Sequence, residues 1–98
     1  MNENINCVAT FTAKEGCVKK FKNALSALIE PTRKEEGCIS YVLYEGLENS
    51  NLFTMIEKFA DRKSFDFHSQ QPYLVNFKES VSELIESVSV NLYKIAEK

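Results

Sequence analysis

Two hydrophobic periodicities alternate along this chain, and their order leaves few folds open. Segments in which apolar and polar residues alternate predict β-strands, and segments whose apolar residues recur every three or four positions predict helices. The predicted strands are 5–13, 38–47, 52–60 and 89–95, and the predicted helices begin near Gly16, Asp61 and Pro72. Strands and helices therefore follow one another in the order β-α-β-β-α-α-β.

This order predicts an α+β protein of the ferredoxin-like, split βαβ type, with helices on one face of an antiparallel sheet. Pro31 lies within the first helical stripe and should kink that helix near Glu30, because proline lacks the N–H that a helix interior requires. Asp61 is a typical N-cap for a short helix. The apolar stripe of the last helix, which follows Pro72, extends to Val88.

The predicted strands are apolar on both faces. On the third strand Phe53, Met55 and Phe59 share one face, whereas Leu52 and Ile56 lie on the other. Helices can cover only one of these faces, and a chain of 98 residues has no further element for the second. We therefore expect a homodimer in which two copies pack sheet to sheet, as a dimeric α/β barrel.

Length and charge exclude several classes of protein. We expect residues 1–98 to form a single domain with an ordered core at about 5–96. The 12 Lys and Arg against 14 Asp and Glu give a net charge of −2, which argues against nucleic-acid binding, because that function requires a basic surface. No apolar run approaches the roughly 20 residues of a membrane span, and the first residues lack the pattern of a signal peptide.

The three cysteines are odd in number and have no metal-ligand spacing. They fit free thiols, so we expect a protein of the reducing cytoplasm.

His68 is the only histidine of the chain and the leading candidate for chemistry, since a neutral imidazole exchanges protons near pH 7. It lies three residues after Phe65 on a predicted helix and should point inward with it. Glu57 lies within a predicted strand among apolar neighbours, where a carboxylate requires a partner. We expect Glu57 to pair with His68 and to orient its ring. The alternatives are a structural core histidine and a structural ion pair of Glu57 with a basic residue of a dimer mate.

A set of motifs carries a resemblance to a known family. The motifs are Pro31-Thr32-Arg33, Gly37-Cys38-x-x-Tyr41, Glu57-x-Phe59-x-Asp61 and His68-x-x-x-Pro72. Together they resemble the antibiotic biosynthesis monooxygenase family. The resemblance implies a homodimer, a pocket-lining histidine at His68, and a cofactor-independent monooxygenase that oxidises a small quinol or polyphenol with molecular oxygen.

The resemblance also assigns roles to particular residues. His68 would be the general base and Glu57 its orienter, and the phenol of Tyr41 or Tyr73 would hydrogen-bond a substrate oxygen. Phe59, Phe65 and Met55 would line an apolar substrate cavity. Ordinary core packing explains the same aromatic and apolar residues equally well, and the two interpretations remain open at this point.

The chain lacks the usual signatures of cofactor sites. It has no glycine-rich phosphate loop, no dinucleotide-binding fingerprint and only one histidine, so flavin, nicotinamide, haem and zinc are all disfavoured and no cofactor is expected. Two other functions remain as alternatives. One is an isomerase that moves a proton within a small carbonyl or phosphocarbonyl compound, and the other is a non-catalytic ligand-binding dimer.

Overall fold

The computed structural model describes residues 3–97, which contain four strands and four helices. In chain order these are β1 (Ile5–Ala13), α1 (Val18–Ser26), α2 (Ile29–Arg33), β2 (Cys38–Glu45), β3 (Leu52–Phe59), α3 (Arg62–Ser69), α4 (Pro72–Ser80) and β4 (Ile85–Tyr93). The order agrees with the prediction, except that the first predicted helix is divided into α1 and α2. No helix within the described residues is long and apolar enough to cross a membrane.

The four strands form one antiparallel sheet in the order β2-β3-β1-β4. This is the strand order of the ferredoxin-like α+β fold, so the predicted fold class is confirmed. The register places Tyr41 of β2 opposite Glu57 of β3, and Glu57 opposite Cys7 of β1. Because directly paired residues point to the same face of a sheet, these three side chains form one row beneath the helices.

The core lies between the sheet and the helices. Phe21 of α1 and Phe53 of β3 are fully buried, and their ring centroids lie 5.7 Å apart in an edge-to-face arrangement. Phe11 joins this aromatic cluster with its centroid 5.3 Å from that of Phe21. The β3 side chains alternate between buried and partly or fully exposed, as a strand covered on one face requires.

The face of the sheet without helices carries exposed apolar side chains. Val42 and Tyr44 of β2 and Ile56 of β3 are 38%, 51% and 44% exposed. Val8 of β1 lies between the paired strands on the same face and is partly buried. The two-faced apolar character predicted for the sheet is therefore present, and no helix of the described chain covers its second face.

Two predicted boundaries were wrong. The first helix is interrupted at Ala27 and Leu28, not near Glu30. Pro31 is the third residue of α2, where the backbone N–H groups of a helix have no partner within the helix, so its missing N–H breaks no hydrogen bond.

The last helix is also shorter than predicted. It ends at Ser80, a turn follows, and β4 begins at Ile85 rather than at 89. The apolar residues from Val81 to Val88 have helical spacing by coincidence. The backbone there forms strand pairs instead, with Val88 opposite Phe11 and Ile85 opposite Ala13.

Candidate functional site

A cavity of about 430 Å³ lies between the sheet and the helices. Most of its lining is aliphatic or aromatic. Its polar lining side chains, besides the Cys7 thiol, are Tyr41, Glu57, His68, Ser69, Lys78 and Ser82. An apolar cavity of this size with a few convergent polar groups is the usual form of a small-molecule site.

Helix α3 brings His68 to the cavity. The Asp61 side chain caps the helix by accepting a hydrogen bond from the Ser64 N–H at 2.8 Å. One turn later the His68 imidazole points inward and is only 3% exposed. It packs on the ring of Phe59, with the centroids 4.9 Å apart, and its centroid lies 5.6 Å from that of Tyr41. The ring is thus held between aromatic groups, with its edge free for polar contacts.

The hydrogen-bond partner of this imidazole is Glu35. The His68 Nδ1 atom lies 2.9 Å from Glu35 Oε2, and both side chains are almost completely buried. An ionised carboxylate can only accept hydrogen bonds, so beside ionised Glu35 the Nδ1 atom carries a proton. In the neutral form of the ring the Nε2 atom is then an acceptor. The Tyr73 hydroxyl donates a second hydrogen bond to the same Oε2 atom.

A close backbone approach allows Glu35 to reach His68. Glu35 lies in the turn after α2, where its N–H donates to Thr32 and its carbonyl accepts from Cys38. Gly37, two residues further along the same turn, passes against α3 so closely that a Cβ atom there would overlap the Ser64 side chain. The absence of a side chain at Gly37 therefore permits the turn to lie against α3, and this places the Glu35 carboxylate beside the imidazole.

Glu57 approaches His68 from the other side of the ring. Its Oε1 atom lies 3.8 Å from His68 Nε2, which is longer than a hydrogen bond. The pKa of Glu57 is raised to about 8, chiefly by burial; the negative charge of Glu35 also raises it, whereas the Cys7 hydrogen bond and Lys78 oppose the shift. Glu57 is therefore mostly protonated at neutral pH, and its carboxyl group and the basic Nε2 atom face the same space.

Cys7 and Tyr41, which are paired with Glu57 across the sheet, stay protonated as well. Burial raises the pKa of the Cys7 thiol to about 12, with further contributions from the charge and hydrogen bond of Glu57. Burial, followed by the charge of Glu57, also raises the pKa of Tyr41. Cys7 is thus not a nucleophile near neutral pH, and the Tyr41 phenol remains a hydrogen-bond donor.

The structure brings together most of the predicted site residues but not all of them. His68, Glu57, Tyr41, Phe65 and Met55 line the cavity. Phe59 is fully buried behind the imidazole and does not reach the cavity. Tyr73 lies outside the cavity as well, and its hydroxyl contacts Glu35 instead.

Sequence analysis missed Glu35 and assigned the orientation of His68 to Glu57. Glu35 stands between charged residues in a turn, as a surface residue would. One signal was present. The inward stripe of the first helical segment, Leu25, Leu28 and Thr32, continues at the same spacing to Glu35, and a carboxylate at an inward position requires a partner. Lys78, at the cavity edge, was also missed.

No group of three His, Cys, Asp or Glu side chains within residues 3–97 is arranged to hold a metal ion. The Nδ1 atom of His68 is already occupied by its hydrogen bond to Glu35. The residues of the cavity therefore offer proton-transfer groups and an apolar surface.

Comparison with known proteins identifies the family. The model of the family described as antibiotic biosynthesis monooxygenase matches residues 4–80. The chain is 32% identical over 85 residues to Rv0793 of Mycobacterium tuberculosis, named as a candidate monooxygenase, and the match covers 87% of this chain and 83% of that protein. It is also 41% identical over 70 residues to the uncharacterised protein sll1783 of Synechocystis, covering 70% of this chain and about half (48%) of that protein's length.

Solved structures share the whole fold. The protein SO0527 of Shewanella oneidensis superposes with a TM-score of 0.92 at 36% identity, covering 97% of this chain and 93% of that one. The structure of Rv0793 gives a TM-score of 0.90 at 28% identity, with 97% of both chains covered. The family match extends over more than half of the chain and includes the elements that carry His68, Glu57 and Glu35. This protein therefore belongs to the antibiotic biosynthesis monooxygenase family.

Proposed function

We propose that this protein is a cofactor-independent monooxygenase that oxidises a small quinol or polyphenol with molecular oxygen. Membership of the family supports a monooxygenase-type function. The observation that carries the proposal is that a basic imidazole nitrogen and a protonated carboxyl group, 3.8 Å apart, face one apolar cavity. A base and an acid held side by side in an apolar site suit a reaction that first removes a proton from a phenol and later returns one.

The proposed reaction requires no external reductant. His68 Nε2 removes the phenolic proton, and the electron-rich phenolate transfers one electron to dioxygen. The resulting radical pair combines to form a carbon–oxygen bond. The peroxide oxygen takes the proton from His68 to form a hydroperoxide. The oxygen–oxygen bond then breaks, hydroxide leaves as water with a proton from Glu57, and the ring carbon returns its hydrogen to Glu57 as a proton, which leaves a hydroxyquinone. One oxygen atom enters the product, the other leaves as water, and the substrate supplies all the electrons.

Each polar group of the site has a role in this scheme. Glu35 keeps the Nδ1 proton on His68, so that Nε2 remains the base. Glu57 donates the proton that the departing hydroxide requires, because its raised pKa keeps it protonated near pH 7. The Tyr41 hydroxyl is placed to donate a hydrogen bond to a substrate oxygen, and Met55 and Phe65 contact the ring of the substrate. The volume of about 430 Å³ lies in the usual range for small-molecule sites and accommodates a small phenol.

The isomerase alternative uses the same base and acid but requires a site for a phosphate or another anionic group. Lys78 is the single cationic side chain among the residues that line the cavity. An anion clamp usually combines several donors, so the cavity favours an uncharged phenol over a phosphorylated compound.

We also propose that the protein acts as a homodimer in the cytoplasm. A second copy packed on the helix-free face would remove Val42, Tyr44 and Ile56 from water, and these exposed apolar residues support the proposal. The three free cysteines suit a reducing compartment. Light scattering at micromolar concentration tests the dimer, and a monomer would contradict it.

Oxygen uptake across a panel of hydroquinones and polyphenols tests the proposed reaction. We expect uptake above the spontaneous rate, and a loss of roughly two to four powers of ten in His68→Ala, the usual contribution of a positioned general base. Asp66→Asn is the matched control, because Asp66 lies on the same helix with its side chain 51% exposed. A fully active His68→Ala enzyme, or no uptake with any phenol, would contradict the proposal. The second result would favour a non-catalytic binding protein or an isomerase.

A further inference from the structure

A second, more open cleft of about 740 Å³ lies on the far side of Glu35 from the cavity. Glu35 and Tyr73 line this cleft, whereas His68 lines the cavity and not the cleft. The Glu35–His68 hydrogen bond therefore passes through the wall that separates the two spaces.

A continuous chain of hydrogen bonds crosses this wall. The Tyr73 hydroxyl donates to Glu35 Oε2, and His68 Nδ1 donates to the same atom at 2.9 Å. The other imidazole nitrogen, Nε2, faces the cavity. The Glu35 and His68 side chains are only 5% and 4% exposed, whereas Tyr73 is partly exposed at the cleft. Tyr73 is thus the member of the chain that meets solvent.

The Glu35 carboxylate has more freedom than a purely structural ion pair would need. Its second oxygen, Oε1, is buried and has no hydrogen-bond partner within residues 3–97. A carboxylate that only anchored the histidine would be expected to have both oxygens satisfied. A free second oxygen gives an arriving proton an additional position on the same carboxyl group.

We propose that Glu35 and Tyr73 form a proton relay that exchanges a proton between His68 Nδ1 and the second cleft during turnover. The proposal rests on the proposed role of His68 as the base. In the relay, a proton from the substrate binds Nε2 and the Nδ1 proton passes to Glu35. The Glu35 carboxyl then gives a proton to the Tyr73 oxygen, while the Tyr73 hydroxyl proton passes to water in the cleft. His68 is then neutral, with its proton on Nε2. When that proton passes to the peroxide oxygen of the intermediate, a proton returns from the cleft through Tyr73 and Glu35 to Nδ1. The starting tautomer is thereby restored and, as in the overall reaction, no net proton is released.

This route separates proton exchange with solvent from substrate exchange. A substrate that fills the cavity separates Nε2 from water, so without a second path the positive charge on His68 would persist until the peroxide oxygen takes the proton. With the relay, His68 returns to its neutral form while the oxygenated intermediate is still bound. Glu35 and Tyr73 are positioning and proton-conducting residues in this scheme and do not contact the substrate.

The single histidine of the chain makes the relay measurable without any substrate. Protein labelled with ¹⁵N only at histidine gives the signals of one imidazole. The exchange rate of the His68 Nδ1 proton with solvent then reports directly on the path through Glu35 and Tyr73. Wild type, Tyr73→Phe and Tyr73→Ala are compared at one pH and temperature, after circular dichroism and thermal unfolding have shown that each is folded.

The two variants should change exchange in opposite directions. Tyr73→Phe keeps the ring that covers Glu35 but removes the hydroxyl, so exchange should slow on the order of a hundredfold, the lower part of the range for a positioned proton-transfer group. Tyr73→Ala admits water to Glu35, so exchange should be as fast as in wild type or faster. Glu48→Gln, at an exposed loop position, is the control and should leave the rate unchanged.

Unchanged or faster exchange in Tyr73→Phe would overturn the relay, because loss of a merely structural hydrogen bond loosens the site and speeds exchange. Equal slowing in Tyr73→Phe and Tyr73→Ala would also overturn it, because the cleft would then not receive the proton. These results are independent of turnover. The relay can therefore be refuted while oxygen uptake is observed, and it can be supported while no uptake is observed. The two proposals are thus tested separately.

Discussion

Replacement of Glu57 by glutamine should stabilise this protein, and by an amount that grows with pH. The pKa of Glu57 in the folded protein is about 8, against an ordinary value of 4.5. Between these two values the folded state binds more protons at this site than the unfolded state, so ionisation of Glu57 opposes folding and wild-type stability falls as the pH rises. Glutamine has nearly the same shape as the protonated acid and does not ionise.

The expected magnitude follows from the two pKa values. Each pH unit of difference corresponds to about 1.4 kcal/mol. The free energy of unfolding of Glu57→Gln should therefore exceed that of wild type by roughly 1 kcal/mol at pH 5, about 3 kcal/mol at pH 7 and about 5 kcal/mol at pH 9. A domain of this size has a total stability on the order of 5–15 kcal/mol, so the difference at pH 9 is a large fraction of the whole.

Urea unfolding of both proteins from pH 5 to pH 9, at one fixed protein concentration, measures this difference. Groups distant from Glu57 contribute equally to both proteins and cancel. Glu48→Gln, at an exposed loop position, is the control and should differ from wild type by no more than about 0.5 kcal/mol at any pH. A difference between Glu57→Gln and wild type that stays constant from pH 5 to pH 9 would refute the inference that Glu57 is held protonated. It would also remove its role as the acid.

Two further predictions concern the groups that surround the site. Gly37→Ala should lower the free energy of unfolding by about 1–3 kcal/mol, the usual cost of overpacking, because its Cβ atom overlaps Ser64. The double variant Gly37→Ala/Ser64→Gly should recover part of this loss in urea unfolding, and equal stability of Gly37→Ala and wild type would contradict the close approach. In native protein treated with iodoacetamide at pH 8, Cys7 should react much more slowly than Cys17 or Cys38, since burial raises its pKa to about 12 and it is 2% exposed. Mass spectrometry measures the order, and early modification of Cys7 would show that the cavity opens to solvent.

Sequence reasoning predicted the fold because the signals for it are local. Alternation identified β1, β2 and β3, and the Asp61 cap identified α3. It failed at β4, because the apolar residues Val81, Leu84, Ile85 and Val88 have a helical spacing, whereas residues 81–84 form a turn and the strand begins at Ile85. Pairing with β1 fixes the strand, and that pairing joins residues more than seventy positions apart, such as Phe11 and Val88.

The site was predicted only in part, because only some of its features are visible in local sequence. His68 and Glu57 each stand out locally, one as the only histidine and the other as a carboxylate within an apolar strand. Their relation to each other does not follow from local pattern. Glu35, 33 positions from His68 in the chain, holds the imidazole at hydrogen-bond distance, whereas Glu57 remains at 3.8 Å.

The amino-acid sequence by itself determined the order of strands and helices, the apolar character of both sheet faces, and that one histidine lies among apolar groups. Periodicity and capping are properties of neighbouring residues, so the sequence contains them directly. Only the tertiary structure decided which carboxylate orients His68, that Glu57 is protonated near pH 7, and that Tyr73 faces a second cleft. These properties depend on distances and on burial, and both are set by the packing of α2, α3 and the sheet against one another.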